Sequence, residues 1–490
     1  MRHAAGMKTD PTCPIHAGAM PPPVAMHPQG TWPPGPSGLT GWGLLKAMSH
    51  DLLASLSGWQ REFGDVVHLR IWPEHEVVVT DPELTRELLL AHHDSLVRWE
   101  RGARVFGKLQ GKSVLVAEGE AWRRKRQALQ PAFSGSAVHA FVPTIAAAAD
   151  QALARWPADA CVWPIESALT SLAMDVILRL LFSSEVGADA RMAERAVQTA
   201  VAAANASMYW PASWPDWVPW KRAERQALAS LDALIRRHID ARVNMAQEAA
   251  PDDLLAGLLR LHREDPLAWP LQAVRDECMT IFLAGHETAA ATLTWWAWCM
   301  AAHPHAQRAA REEVRCVLEG RAPGAADLRS LPYLTQTLQE TLRLYPAAPV
   351  LFTRRSKAPL TLGPWRLPAG TMIVLPVQLM QHDPRWFPEP MSFRPERFGR
   401  DAPEFPRGAY QPFGAGPRVC LGQHLAMAEM TVIAARLLQR FTLAVPQGAP
   451  APRPVMKVSL RPMDSLQLRV EPCVENPDVA VPFRSNGQMP

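Results

Sequence analysis

The sequence predicts a mainly α-helical protein, with one large helical domain and a small β-rich portion. Three stretches carry that expectation. Residues 271–303, LQAVRDECMTIFLAGHETAAATLTWWAWCMAAH, lie between Pro270 and Pro304 and read as one helix of roughly 30 residues, ~45 Å long. Residues 421–441, LGQHLAMAEMTVIAARLLQRF, repeat apolar residues at helical spacing straight after a Gly- and Pro-rich loop. Residues 353–377, TRRSKAPLTLGPWRLPAGTMIVLPV, alternate short apolar runs with turn residues and read as paired strands.

The chain has 490 residues, of which 48% are hydrophobic and 20% charged. Those proportions describe a globular protein able to bury a large core. A net charge of +4 is small for this length, so nothing points to nucleic acid as a partner. The 7 cysteines (13, 161, 278, 299, 316, 420 and 473) are odd in number and scattered. They suggest neither a disulfide framework nor a zinc site, and they fit a reducing cytosol.

Residues 1–37 are proline-rich and are expected to be disordered or extended. No charged-then-apolar signal peptide and no run of ~18 apolar residues appears there, so no transmembrane anchor is expected and the protein should be soluble and cytoplasmic. Residues 38–473 are expected to form the folded domain, followed by a tail at 474–490. Within it, residues 44–62 read as a helix, VVHLRI and VVVT as strands, and Asp81-Pro82 as the start of a further helix. GKLQGKS at 107–113 has its first glycine one residue too close for a phosphate-binding loop. Residues 140–260 read as successive Ala- and Leu-rich helices. The joint at 209–220, YWPASWPDWVPW, is unusually aromatic; its residues either roof a channel for an apolar substrate, touch a membrane, or pack a long loop onto the body.

Four short motifs carry the chemistry. FGAGPRVCLG at 413–422 places Cys420 where a rigid loop enters a helix. There the positive helix end and free backbone N–H groups are expected to favour the thiolate, a soft ligand for iron. An inert buried thiol or a catalytic nucleophile are the other readings of a single cysteine. In GEAWRRKRQALQPAF, Trp122 and Arg126 share a helix face. Mid-helix, AGHET sets Gly285 beside Glu287 and Thr288 although glycine costs ~1 kcal/mol in a helix, and such local rule-breaking points to function. Glu340 and Arg343 are an i,i+3 pair in LPYLTQTLQETLRLYP.

Taken in order, WxxxR, AGxET, ExxR, the PERF that contains Arg397, and FxxGxRxCxG resemble the motif set of the cytochrome P-450 superfamily. The resemblance covers residues 38–470. It implies that Cys420 is the axial ligand of a haem b iron, within a loop whose fixed positions include Phe413 and Arg418. Trp122, Arg126 and, less securely because of its neighbour Arg355, Arg354 would reach haem propionates. Gly285 would let the helix approach the haem, Thr288 would offer a hydroxyl and Glu287 a proton route. Glu340, Arg343 and Arg397 would form a structural network.

The reaction implied is monooxygenation: one atom of O2 enters an apolar substrate (a fatty acid, terpenoid or carotenoid-like compound) and the other leaves as water. Electrons would come from a separate protein, a ferredoxin with its reductase or a flavoprotein. The run Arg123, Arg124, Lys125 is then either a docking patch for that donor or a solvated basic face. A haem-thiolate isomerase, dehydratase or peroxygenase of the same fold, or a haem-binding sensor without turnover, are the competing functions.

Overall fold

The computed structural model describes residues 32–473, apart from 39, 185–187, 210–217 and 247–250. The tail 474–490, most of the proline-rich segment and most of the tryptophan-rich joint therefore lie outside the described residues.

Helices α1 (Trp42–His50) and α2 (Leu52–Phe63) lead into strands β1 (Val66–Ile71) and β2 (Glu74–Val79), helix α3 (Pro82–Leu90), strand β3 (Leu96–Arg98), and helices α4 (Glu100–Gln110), α5 (Gly119–Leu129), α6 (Gly135–His139) and α7 (Val142–Leu153). Strand β4 (Cys161–Trp163) precedes α8 (Ile165–Phe182), α9 (Ala188–Tyr209), α10 (Arg222–Val243), α11 (Leu254–Glu264), α12 (Leu271–Ala302), α13 (Pro304–Leu318) and α14 (Pro332–Leu344). The remainder is β5 (Arg354–Ser356), β6 (Leu360–Leu362), β7 (Trp365–Leu367), β8 (Met372–Val374), α15 (Val377–Gln381), α16 (Gln423–Arg440), β9 (Phe441–Ala444), β10 (Pro454–Met456), β11 (Leu460–Pro462) and β12 (Leu468–Pro472).

The helix expected over 44–62 is two helices. Asp51 breaks it: its backbone is extended (φ −152°) and its side chain accepts from Ala54 N at 3.0 Å, capping α2. Asp81 caps α3 in the same way through Leu84 N at 2.8 Å. The end of the proline-rich segment, expected to be disordered or extended, is packed at Trp32 and Pro34. His68 N donates to Pro34 O at 2.9 Å, and the Trp32 ring stacks on His68 and His75 with centroids 4.4 Å away from each.

Helix α12 is the axis of the helical body and packs against α4, α8, α10, α11, α14 and α16. Trp295 and Trp296 are wholly buried on it. Trp296 Nε1 donates to Thr337 Oγ1 at 2.9 Å, while Trp295 stacks on Tyr345 at 4.0 Å and donates to Leu460 O at 2.9 Å. These bonds satisfy both indoles and fix α12 against α14 and the β10–β11 hairpin.

The largest sheet has the order β1-β2-β8-β5-β3. Its β3–β5 pair is antiparallel and sets Arg98 directly opposite Arg354. A second sheet, β4-β12-β9, joins residues 161–163 to 468–470. Among the described residues no helix is long and apolar enough to cross a membrane.

Candidate active site

The cysteine loop is shaped by backbone geometry. Gly414 and Gly416 have φ of 72° and 71°, a region that disfavours a side chain. A Cβ on Gly416 would also lie 2.1 Å from Leu89 O. With both turns made, Cys420 N donates to Phe413 O at 2.9 Å and Val419 N to Gly416 O at 3.0 Å. Arg126 Nη1 closes the loop from α5 by donating to Val419 O at 2.8 Å. Cys420 thus stands just before α16 on a loop that α3 and α5 hold rigid.

Burial is the largest influence on the Cys420 thiol and pushes its pKa up; the Gly422 N–H and the Arg126 charge pull it down without prevailing. The helix-end effect expected from the sequence is present, but desolvation outweighs it. A thiol in that condition becomes a thiolate when it coordinates a cation, which displaces the proton.

Beside the loop is a cradle of guanidinium groups. Arg418 lies over the Trp122 ring, its Cζ 3.9 Å from the centroid, and donates to Glu118 at 2.5 Å and to Ala117 O at 2.9 Å. Glu118 also accepts from Arg98 N at 3.1 Å. Arg98 and Arg354 face each other across the sheet, and like charges directly opposite repel. Burial first, and neighbouring arginines second, push Arg98 down to about 9 and Arg354 to about 10. Arg98 Nε and Nη1 are buried with no hydrogen-bond partner. A desolvated guanidinium with two free donors, opposed by a second arginine, needs an anion.

Helix α12 packs against α16, the helix that follows Cys420. Between Ala273 and Ala302, Ala284 and Thr288 are the exposed positions, and at i,i+4 they share one face. Cys420 is likewise exposed although burial dominates its pKa. Each is accessible while its chain neighbours are buried or half-buried, which leaves open space beside α12 and beside the sulfur. Thr288 Oγ1 donates to Ala284 O at 2.8 Å. A Cβ at Gly285 would come 2.8 Å from Ile177 Cδ1, so its missing side chain admits α8. Glu287 turns away from Thr288, to Ser459 and Arg461 on the β10–β11 hairpin.

Glu340 and Arg343 are fully buried 2.8 Å apart, and Arg397 Nε reaches the same carboxylate at 3.3 Å. This brings together the three residues expected to form a network, and Arg394 N adds a further donor at 2.9 Å. The adjacent arginines at 354 and 355 separate by strand alternation: Arg355 is bound to Glu74 and Glu100, leaving Arg354 to the cradle.

The basic run is divided too. Lys125 does not belong to an exposed patch; it points inward to Glu277 at 2.7 Å, over the Trp269 ring. Arg123 pairs with Asp94 at 2.7 Å, and Arg124 is exposed. Sequence reading missed Arg98, Glu118 and Arg461. Their partners are remote in the chain, and no spacing rule reaches across 256 residues from Arg98 to Arg354.

An accessible soft sulfur donor, with clustered arginines nearby and two unpartnered N–H groups on Arg98, suits one iron ligand and two carboxylates. The residues present fit haem, and together with the fold they define a haem-thiolate protein. The chain belongs to the cytochrome P450 family, whose model matches residues 33–470. It is 33% identical over 391 residues to cyclooctat-9-en-7-ol 5-monooxygenase of Streptomyces melanosporofaciens, covering 78% of this chain and 83% of that one. Cyclooctatin synthase of the same organism is 30% identical, with 90% and 96% covered. An 11-oxo-beta-amyrin 30-oxidase of Glycyrrhiza uralensis is 30% identical, with 78% and 76% covered. The mainly α fold expected from the sequence is therefore the cytochrome P450 fold, and the chain is an oxidoreductase of the monooxygenase kind that requires haem iron.

Proposed function

We propose that this protein is a soluble, cytoplasmic haem b monooxygenase that oxygenates an apolar, terpenoid-like substrate with electrons from a separate donor protein. The observation that carries the reading is the pair Ala284 and Thr288, the exposed face of α12 between Ala273 and Ala302, together with the accessible thiol of Cys420 on its glycine-shaped loop. The names of the relatives support the substrate class, since two of them describe oxidation of large, mostly hydrocarbon skeletons.

In this reading Cys420 would supply the thiolate ligand of the haem iron. Arg98, Arg354, Arg126, Arg418 and Trp122 would hold the two propionates, with Glu118 orienting Arg418. Phe413 fixes the cysteine through its carbonyl. The bound haem supplies reductive activation of O2 and transfer of one oxygen atom to the substrate. The chain's own residues set where the proton goes. Thr288 would hold a proton at its exposed hydroxyl for the oxygen chemistry of the bound haem, and Glu287 would resupply it. Glu340, Arg343 and Arg397 keep α14 in register with the segment leading to Cys420. Arg124, with Arg123, faces the donor, and a ferredoxin with its reductase is the donor proposed.

The test is a binding screen followed through the haem Soret band against diterpenoid, triterpenoid, carotenoid and fatty-acid compounds. It is followed by turnover of each binder with NADPH, a ferredoxin and its reductase. The reading expects a terpenoid to shift the band and to yield a product one oxygen atom heavier. A fatty acid as the sole binder and product former contradicts the substrate class. Binders converted without NADPH contradict monooxygenation and favour an isomerase or dehydratase.

A further inference from the structure

Glu118 stands at the N-cap of α5, where an acidic side chain ordinarily accepts from the free backbone N–H groups of its own helix. Here it makes no such bond: the backbone is extended (φ −125°) and the side chain is spent elsewhere. Oε2 accepts from Arg418 Nη2 at 2.5 Å, and Oε1 accepts from Arg98 N at 3.1 Å. One carboxylate therefore joins α5 to strand β3 and to the cysteine loop.

Arg418 is fixed by three contacts from this single stretch. Ala117 O accepts from its Nη1 at 2.9 Å, Glu118 accepts from its Nη2, and the Trp122 ring lies against the guanidinium. That ring itself favours a charged partner. Among the described residues, Arg98, Arg126 and Arg354 form no ion pair with a carboxylate. Arg126 donates to Val419 O and Arg354 to Phe352 O, while Arg98 leaves two N–H groups free.

The reach of the carboxylate extends beyond its own pair. Its charge supports the charged forms of both Arg98 and Arg354 against their burial. Four guanidinium groups thus share one carboxylate. Two haem propionates would leave that cluster positive by a single charge, and without Glu118 the excess would double.

We propose that Glu118 is a positioning residue that sets how readily the haem iron takes up an electron: by holding Arg418 over Trp122 and placing one negative charge among four arginines, it keeps the reduction potential lower than those arginines alone would set. This rests on the haem monooxygenase reading above. The step concerned is the gain of one electron from the donor protein, with no bond made or broken. The added negative charge is opposed by a nearby carboxylate and favoured by unpaired guanidinium groups.

The experiment is a spectroelectrochemical titration of the haem-loaded protein against a dye of known potential, without substrate or donor. Glu118→Gln keeps an acceptor for Arg98 N and Arg418 but carries no charge. Its equilibrium should move about three- to tenfold towards the reduced form, the order expected for one partly buried charge; tenfold is 59 mV for one electron. Glu118→Asp keeps the charge on a shorter stem and should return most of that shift. The gap between Glu118→Gln and the unaltered protein should narrow as salt is raised, because the Glu118 side chain is 32% accessible. If Glu118→Gln does not hold haem, Arg418→Gln decides the matter. It leaves the carboxylate uncompensated, so the equilibrium should move towards the oxidised form. An equilibrium unmoved by Glu118→Gln, a shift that Glu118→Asp shares in full, or an unmoved Arg418→Gln overturns the proposal. The titration needs no turnover. A protein that titrates as stated but forms no product contradicts the monooxygenase reading and not the role of Glu118. One that forms product while its potential ignores Glu118 contradicts that role alone.

Discussion

Arg343 Nε lies 2.8 Å from Glu340 Oε2, and neither side chain has any accessible surface. Every polar edge of the pair is used. Arg343 also donates to Gln381 O at 2.7 Å, and Glu340 Oε1 accepts from Arg394 N and Arg397 Nε. An i,i+3 pair on a helix surface contributes little. This one joins α14 to the 381–397 segment, which leads towards the cysteine loop.

Glu340→Ala and Arg343→Ala should each cost ~3–5 kcal/mol, because the surviving charge is left buried and alone. The expected result is little soluble, haem-loaded protein and a thermal transition well below that of the unaltered chain. A variant recovered in normal yield with an unchanged transition contradicts the structural role.

The opposed pair Arg98 and Arg354 yields a prediction with opposite signs in two states. Arg98→Ala removes a charge-assisted bond to a propionate, roughly 1.5–3 kcal/mol, so haem transfer to a scavenger protein should be about ten- to a hundredfold faster. The same substitution relieves repulsion in the haem-free protein, which should melt no lower than before. Unchanged haem loss would remove Arg98 from the cradle.

Glu429 provides a pH prediction. It is buried on α16 with Oε1 unpartnered, and burial raises its pKa from 4.5 to about 8. Between those values the folded state holds a proton that the unfolded chain has released, so this group's contribution to stability falls as pH rises through the window. Glu429→Gln should flatten the fall in melting temperature between about pH 5 and 8 and be the more stable protein at the upper end. Superimposable pH profiles for the two proteins would show that Glu429 finds a partner when ionised.

Much of this was legible in the sequence because it is local. The length of α12 follows from its bracketing prolines, the cysteine loop from its glycines, and the pair at 340 and 343 from helical spacing. What escaped depends on contacts between distant residues. Strand β4 has no signal of its own and exists because residues 468–470 pair with it. Lys125 looks like part of a basic surface run until α12 supplies Glu277. The contact of Gly285 with Ile177 on α8 is likewise invisible until the two helices are packed. The cradle needs the register of β3 against β5, which no single stretch encodes.

Thr288→Ala tests the proton path. The variant should keep its haem and its substrate affinity and still consume NADPH and O2. Its product per NADPH should collapse into hydrogen peroxide, since positioned proton transfer is worth typically ~10²–10⁴-fold. Coupling equal to that of the unaltered enzyme would mean that the proton arrives by another route.

The central claim is that Cys420 ligates the haem iron as a thiolate, and the reduced, carbon-monoxide-treated difference spectrum tests it most directly. The unaltered protein should show the strongly red-shifted Soret band of a thiolate ligand. Cys420→Ser, which offers a hard and weakly acidic hydroxyl instead, should lose it. A Cys420→Ser protein that retains the red-shifted band contradicts the account, because another residue would then be the ligand.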